Sequence, residues 1–142
     1  MSIGFSATIG NFDGVHLGHQ DLIDNVKEAA KKNNLKTKVL TFNPYPFEFF
    51  QWNKKRILSE LDKKIIFDEL EIDVVQSIEF NEKFRSQTAN EFFINYLVNE
   101  NVRHLIVGKD FKFGKDRLGD LDLLSKLCAE NEIQLKVIED FK

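Results

Sequence analysis

Two histidines three residues apart, His16 and His19, lie in the stretch Gly10-Asn11-Phe12-Asp13-Gly14-Val15-His16-Leu17-Gly18-His19-Gln20. At the start of a helix, side chains at this spacing project the same way. Two imidazoles so placed can donate hydrogen bonds to the charge that builds as an α-phosphate is attacked and pyrophosphate leaves. Backbone N–H groups in the first turn of a helix lack intrahelical partners and carry partial positive charge, and glycines let a phosphate come close to them. The stretch holds no serine or cysteine nucleophile, which favours direct in-line transfer over a covalent intermediate. Asp13 is placed to orient a histidine or to act through Mg²⁺. On the residues alone two other readings stay open. The pair could serve as surface polarity or a helix cap, or it could bind zinc. Tetrahedral zinc needs further ligands, and the remaining candidates are His104, on a presumed buried strand, and Cys128, inward on a late helix. No metal ligands are assigned.

A strand, a turn and a helix must hold this stretch. Phe5-Ser6-Ala7-Thr8-Ile9 is β-prone, and Leu22, Ile23, Val26, Ala29 and Ala30 recur at helical spacing. The helix is expected from about Gln20 to Asn33-Asn34, residues suited to a left-handed stop. Lys36 to Phe42 reads as a second strand, stopped by Asn43-Pro44-Tyr45-Pro46. Phe47, Phe49, Phe50 and Trp52 form an aromatic stretch of no assigned secondary structure, and Lys54-Lys55-Arg56 reads as a solvated run. Ser59 is expected to cap a helix to about Leu70, with Leu61, Ile65, Ile66 and Leu70 inward. A third strand is placed at Asp73 to Phe80. Thr88-Ala89-Asn90-Glu91 is a capping box ahead of an apolar helix through Phe92, Phe93, Tyr96, Leu97 and Val98. His104 to Val107 gives a fourth strand, and Lys109 to Gly119 a polar loop. Asp120 caps a helix to about Glu130, with Leu121, Leu124, Leu127 and Cys128 inward. Gln134 to Ile138 gives a fifth strand.

Strands separated by helices predict an α/β protein: a Rossmann-like open parallel five-stranded sheet with helices on both faces. Ligands in such sheets bind beyond the carboxyl ends of the strands. The loops at Gly10–His19, Asn43–Pro46 and Gly108–Gly119 should therefore converge. At 142 residues, with 42% apolar and 30% charged residues, the chain suits one domain or most of one. A net charge of −3 and an isoelectric point near 5.6 give no general attraction to nucleic acid or to an anionic membrane. One cysteine rules out an internal disulfide, and neither a membrane-spanning run nor a signal peptide is read at the N-terminus. The expected location is cytoplasmic.

The stretch Gly10 to Gln20 resembles the signature of the FAD synthetase module of bacterial bifunctional riboflavin kinase/FAD synthetases, of the nucleotidyltransferases with a His-x-Gly-His motif. Thr41-Phe42-Asn43-Pro44-Tyr45-Pro46 is similar to that family's Thr-Phe-x-Pro-His-Pro. Val107-Gly108-Lys109-Asp110-Phe111-Lys112-Phe113-Gly114 is similar to its Val-Gly-x-Asp/Asn-Phe-x-Phe-Gly. The three motifs come in order, each at a strand's end, across nearly the whole chain. The resemblance implies a nucleotidyltransferase fold and adenylyl transfer from ATP to FMN, with Mg²⁺, giving FAD and pyrophosphate. It implies that His16 and His19 are the catalytic pair. The ATP side would be Gly10, Asn11, Phe12, Asp13, Gly14, His16, Gly18 and His19. Asn43, Pro44, Tyr45, Asp110, Phe111, Phe113 and Arg117 would serve the flavin and adenine side. Phe111 or Phe113 could pack on a flat ring, core packing being the plain alternative. Lys115 and Arg117 are candidates for phosphate contact.

Two departures qualify the resemblance. Tyr45 stands where the family usually has histidine. The family also has an Ile-Ser-Ser-Thr-x-x-Arg-like motif shortly after the fifth strand, whereas this sequence stops at Glu139-Asp140-Phe141-Lys142. The expectation is a single adenylyltransferase-like domain, residues 1–142, shortened at its C-terminal end, without a riboflavin kinase domain and with an incomplete phosphate site. The alternatives are a non-catalytic nucleotide- or flavin-binding module, or a nucleotidyltransferase for another acceptor. The second and third motifs favour the flavin branch.

Overall fold

Five short runs rich in β-branched and apolar residues form the strands β1 (Phe5–Ile9), β2 (Lys36–Phe42), β3 (Val74–Ile78), β4 (Val102–Gly108) and β5 (Gln134–Ile138). They pair in parallel throughout, in the spatial order β3-β2-β1-β4-β5. The computed structural model describes residues 3–10, 12, 17–44, 50 and 60–139, excluding the side chains of residues 17–19 and 60. β1 is central. The chain leaves it first toward β2 and β3, then returns to its other side for β4 and β5, so the strand order reverses beside β1. In an open α/β sheet that reversal opens a crevice at the carboxyl ends of the strands.

Alternation along the strands supplies two apolar faces. On one face, Ala7, Ile9, Leu40, Leu105 and Val107 pack against Phe92, Phe93 and Leu97 and against Leu124 and Cys128. The first group of helical residues belongs to α4 (Ala89–Phe93) and its π-helical continuation Ile94–Val98, the second to α5 (Leu121–Glu130). The other face is covered by α1 (Leu17–Asn33), through Ile23, Val26 and Ala29, and by α2 (Glu60–Glu69), through Phe67. Ser6 ties sheet to helix by donating its hydroxyl to the carbonyl of Val26 at 2.9 Å. Both faces of the sheet thus carry helices, as predicted.

Terminators act where the residue types place them. Asn34 ends α1 at φ 55°, the left-handed conformation that asparagine tolerates. Thr88 and Glu91 form a reciprocal capping box on α4, and Asp120 caps α5 by accepting from the Leu123 N–H. A one-turn helix, α3 (Glu82–Arg85), capped by Asn81, stands between β3 and α4; four residues are too few to show a period. The inward face of α2 also differs from expectation. Leu61 and Ile65 are exposed, at 66% and 46%, while Lys63 and Phe67 are buried. The seam runs through 63, 66, 67 and 70 because the Lys63 ammonium finds a buried acceptor, the Thr41 hydroxyl, at 2.9 Å. No helix among the described residues is long and apolar enough to cross a membrane.

Candidate active site

A cleft of about 610 Å³ opens at the carboxyl ends of the strands. β1 contributes Ile9 and Gly10, β2 contributes Phe42, and the loop after β4 contributes Asp110 to Gly114 with Asp116 and Arg117. A fourth contributor, not anticipated, is the segment after β3, with Phe80, Phe84 and Arg85. The volume is that of a site for a small organic molecule, and the pattern of apolar walls with a few polar groups is typical of one.

The wall at the β2 and β3 ends is built of rings. Phe42 meets Phe80 edge-on at 5.9 Å and Phe84 at 5.7 Å, and Phe50 meets Phe80 at 5.8 Å. Phe84 continues inward to Phe92 at 5.8 Å and Tyr96 at 5.5 Å, anchoring the wall to α4 and its continuation. Opposite, Phe111 and Phe113 lie nearly parallel at 5.7 Å, and Phe113 reaches Phe92 at 5.9 Å. Phe113 is almost fully buried and Phe111 half-buried, both against the core. Both rings thus pack on the core, the plain alternative, while also standing on the cleft wall. Edge-to-face pairs add about 0.5–1.5 kcal/mol each beyond area burial, so this wall is stiff.

The loop after β4 owes its shape to backbone contacts. Phe113 and Gly119 exchange N–H···O bonds of 3.1 and 2.9 Å, closing it on itself. The Lys115 N–H donates to the Gln87 carbonyl at 2.7 Å, docking it on the start of α4. Gly114 makes that approach possible. It sits at φ 78°, and a Cβ there would lie 2.6 Å from the Ala89 backbone. Asp110, Lys112, Asp116 and Arg117 are exposed at the rim.

The other predicted residues are placed as follows. α1 begins at Leu17, three residues earlier than expected, which brings Gly18 and His19 into the first turn, where backbone N–H groups have no intrahelical partner. Asn11, Asp13, Gly14 and His16 lie outside the described residues, as does Tyr45. Gly10 lines the cleft and donates its N–H to the Leu40 carbonyl at 3.0 Å. Phe12, expected among the residues lining the nucleotide, buries its ring in the core, edge-on to Phe67 at 5.6 Å. Its backbone takes the left-handed conformation, at φ 53°. Asn43 is exposed and donates its N–H to Ile78. Neither Asn43 nor Pro44 lines the cleft, whose wall at that strand end is Phe42. Phe80, Phe84 and Arg85 were missed because no motif marks them; the one signal was Asn81 ahead of a polar–apolar turn.

Neither candidate zinc residue stands in the cleft. His104 is held toward its neutral form by burial and then by the charge of Lys136, and burial pushes the Cys128 thiol up to about 11.

A family model described as FAD synthetase matches residues 2–142. The chain is 40% identical over 137 residues to the bifunctional riboflavin kinase/FMN adenylyltransferase of Buchnera aphidicola subsp. Schizaphis graminum, covering 94% of this chain and 43% of that protein. It is 38% identical over 141 residues to the Escherichia coli K12 protein of the same name, covering 97% and 45%. It is 33% identical over 135 residues to the FAD synthetase of Listeria monocytogenes, covering 89% and 52%. The chain therefore spans about half the length of these relatives. A solved structure described as a macrolide-efflux protein from Streptococcus pneumoniae superposes with a TM-score of 0.85 at 25% identity, covering 100% of this chain and 48% of that one. What that likeness contributes is the fold.

Proposed function

The chain belongs to the FAD synthetase family, and we propose that it is an FMN adenylyltransferase domain, joining the AMP part of ATP to FMN to give FAD and pyrophosphate. The observation that carries this reading is the ring-walled cleft at the carboxyl ends of β1, β2 and β4. Its apolar faces suit a flat isoalloxazine ring, and its polar rim suits the phosphate and ribityl groups that follow. The domain corresponds to the adenylyltransferase half of the bifunctional relatives.

In the proposed reaction a phosphate oxygen of FMN attacks the α-phosphorus of ATP in line. The new P–O bond forms as the bond to the β-phosphate bridging oxygen breaks, and pyrophosphate leaves with that electron pair. Such a transfer is achieved by positioning and charge stabilisation. His16 and His19, with the free N–H groups of the first turn of α1, hold the phosphates and stabilise the leaving group. Gly10, Asn11, Asp13, Gly14 and Gly18, with the Phe12 backbone, line the nucleotide. Asp110, Phe111, Phe113 and Arg117 serve the flavin and adenine side, with Phe42 as its wall at the β2 end and Asn43, Pro44 and Tyr45 next along the chain.

Asp110 and Asp116 stand on the cleft, and among the described residues no three ligating side chains gather as a metal site. That donor set suits a Mg²⁺ ion carried in by ATP oxygens, with one or two protein carboxylates at most; Asp13 is the carboxylate of the phosphate loop. The ion neutralises charge on the phosphates when bound.

Incubation of the chain with ATP, FMN and Mg²⁺, followed by chromatography, tests the proposal. FAD and pyrophosphate should appear in equal amounts, and His16→Ala and His19→Ala should each weaken ATP binding in a folded protein. ATP consumed without FAD, or unchanged ATP binding in both variants, would refute it.

A further inference from the structure

Within the cleft on which the adenylyltransferase reading rests, the wall at the β2 and β3 ends is built of Phe42, Phe50, Phe80 and Phe84 with the polar Gln87, and among the described residues its one cation is Arg85. The one-turn helix that carries it is fixed from several sides. Asn81 caps it by accepting from the Phe84 N–H at 2.8 Å, and the Ser86 hydroxyl donates to the Glu82 carbonyl at 2.7 Å. Phe84 plugs the turn into the ring cluster.

The guanidinium is held as well. Nη1 donates to both carboxylate oxygens of Glu82, at 3.1 and 3.0 Å, and Cζ lies 5.0 Å from the centre of the Phe50 ring. A surface ion pair alone fixes little. Here the bifurcated contact at Nη1 and the ring contact act on the same group, which narrows the rotamer freedom of a long side chain before a ligand arrives. Among the described residues Glu82 takes Nη1, and the N–H groups on Nη2 and Nε are the donors that remain for a ligand. The side chain is about a third exposed, so those donors are accessible.

We infer that Arg85 is a specificity-determining residue for the acceptor, donating hydrogen bonds to the carbonyl-bearing edge of a flat ring seated against Phe42, Phe50, Phe80 and Phe84. The isoalloxazine ring has carbonyl oxygens along one edge and methyl groups along the opposite one. A cation held on a mainly aromatic wall therefore selects both the ring and its orientation. Apolar walls tolerate many flat rings, whereas a donor left without an acceptor in a desolvated cleft penalises the wrong one.

The test uses Arg85→Met, which keeps the stem and removes the donors, on the whole chain. FMN binding is read by quenching of its own fluorescence, ATP binding by calorimetry, and folding by near-UV circular dichroism. The parent should bind FMN more tightly than an analogue whose ring carbonyl oxygens are replaced by sulfur, a poorer acceptor. Arg85→Met should weaken FMN by about tenfold or more, the size of one charge-assisted hydrogen bond, leave ATP within about twofold, and bring FMN and the thio analogue to near-equal affinity. Glu82→Gln, which loosens the guanidinium without removing it, should fall between. A merely structural role would not erase the discrimination between the two flavins. The inference is overturned if Arg85→Met binds FMN like the parent, loses both flavins by the same factor, or loses ATP instead. A parent that binds ATP but no FMN would overturn the flavin reading itself, and the inference with it.

Discussion

Replacing Gly114 with alanine perturbs the cleft through backbone geometry alone. At φ 78° and ψ −179°, the residue occupies a region that is essentially reserved for glycine and costs other residues about 1–3 kcal/mol. The added Cβ would stand 2.6 Å from both Cα and N of Ala89 and 3.0 Å from its Cβ. The obstacle is backbone, at the first residue of α4, and cannot rotate away. Restoring contact distances of ~3.5 Å or more requires the loop to lift by roughly an ångström. That movement stretches the 2.7 Å bond from the Lys115 N–H to the Gln87 carbonyl, worth about 1 kcal/mol. The expected loss is about 2–4 kcal/mol, or a fall in Tm of ~6–12 °C for a chain of this size. FMN affinity should fall with it, because the same loop carries Asp110, Phe111 and Phe113. Gly108→Ala is the matched control: its Cβ would meet nothing within 4 Å, and it should change stability by less than about 1 kcal/mol, upward if at all. Thermal unfolding by circular dichroism, with FMN fluorescence titration, reads both variants. A Gly114→Ala protein melting within about 2 °C of the parent, or indistinguishable from Gly108→Ala, would refute the reasoning.

Thr88→Ala removes the cap at the start of α4 and should lower Tm by about 3 °C. The Thr88 backbone N–H and then its hydroxyl hold the Glu91 carboxyl below its usual range, so that part of the stability exists above about pH 4.5 and disappears as pH falls through the lowered value; melts at pH 7 and pH 3 should show a smaller Thr88→Ala penalty in acid. His104 has the opposite charge type but the same pH direction. Its imidazole is held neutral by burial and by Lys136, so the unfolded chain binds the proton first, and stability should fall as pH drops below 6.5 until the lowered folded value is reached. His104→Gln should flatten the dependence of the urea midpoint in that window. The Cys128 thiol, pushed up to about 11 by burial, should resist a disulfide reagent at pH 8 and react at once in denaturant.

Much of this architecture was legible because local chemistry and global fold agree. β2 runs from Lys36 to Phe42, as its β-branched residues and Pro44 dictate. The capping box at Thr88 and the cap at Asp120 start their helices where side-chain oxygens can reach free N–H groups. The loop motifs sit at strand ends, and two of the three strand-end stretches expected to converge send described residues into one cleft, with Phe42 standing for the third. What sequence could not supply was phase and partnership. Along ten residues of α2, Leu61 and Ile65 fit an apolar stripe as well as the true one does. The choice was made by Thr41, a residue of β2 that offers the Lys63 ammonium an acceptor. Phe12 shows the same limit: its neighbours predict a nucleotide turn, yet Phe67 and Ile23 claim its ring. The wall of Phe80, Phe84 and Arg85 depends on a one-turn helix, and pairs between rings distant in sequence have no local signature.

A crystal structure of the chain grown with FMN tests the central claim most directly, that the cleft at the strand ends seats the flavin. The account predicts the isoalloxazine ring between the wall of Phe42, Phe80 and Phe84 and the loop of Phe111 and Phe113, its carbonyl edge toward Arg85 and its phosphate toward the first turn of α1. A flavin bound elsewhere on the molecule, or a ring with its methyl edge against Arg85 and its phosphate turned away from α1, would contradict it.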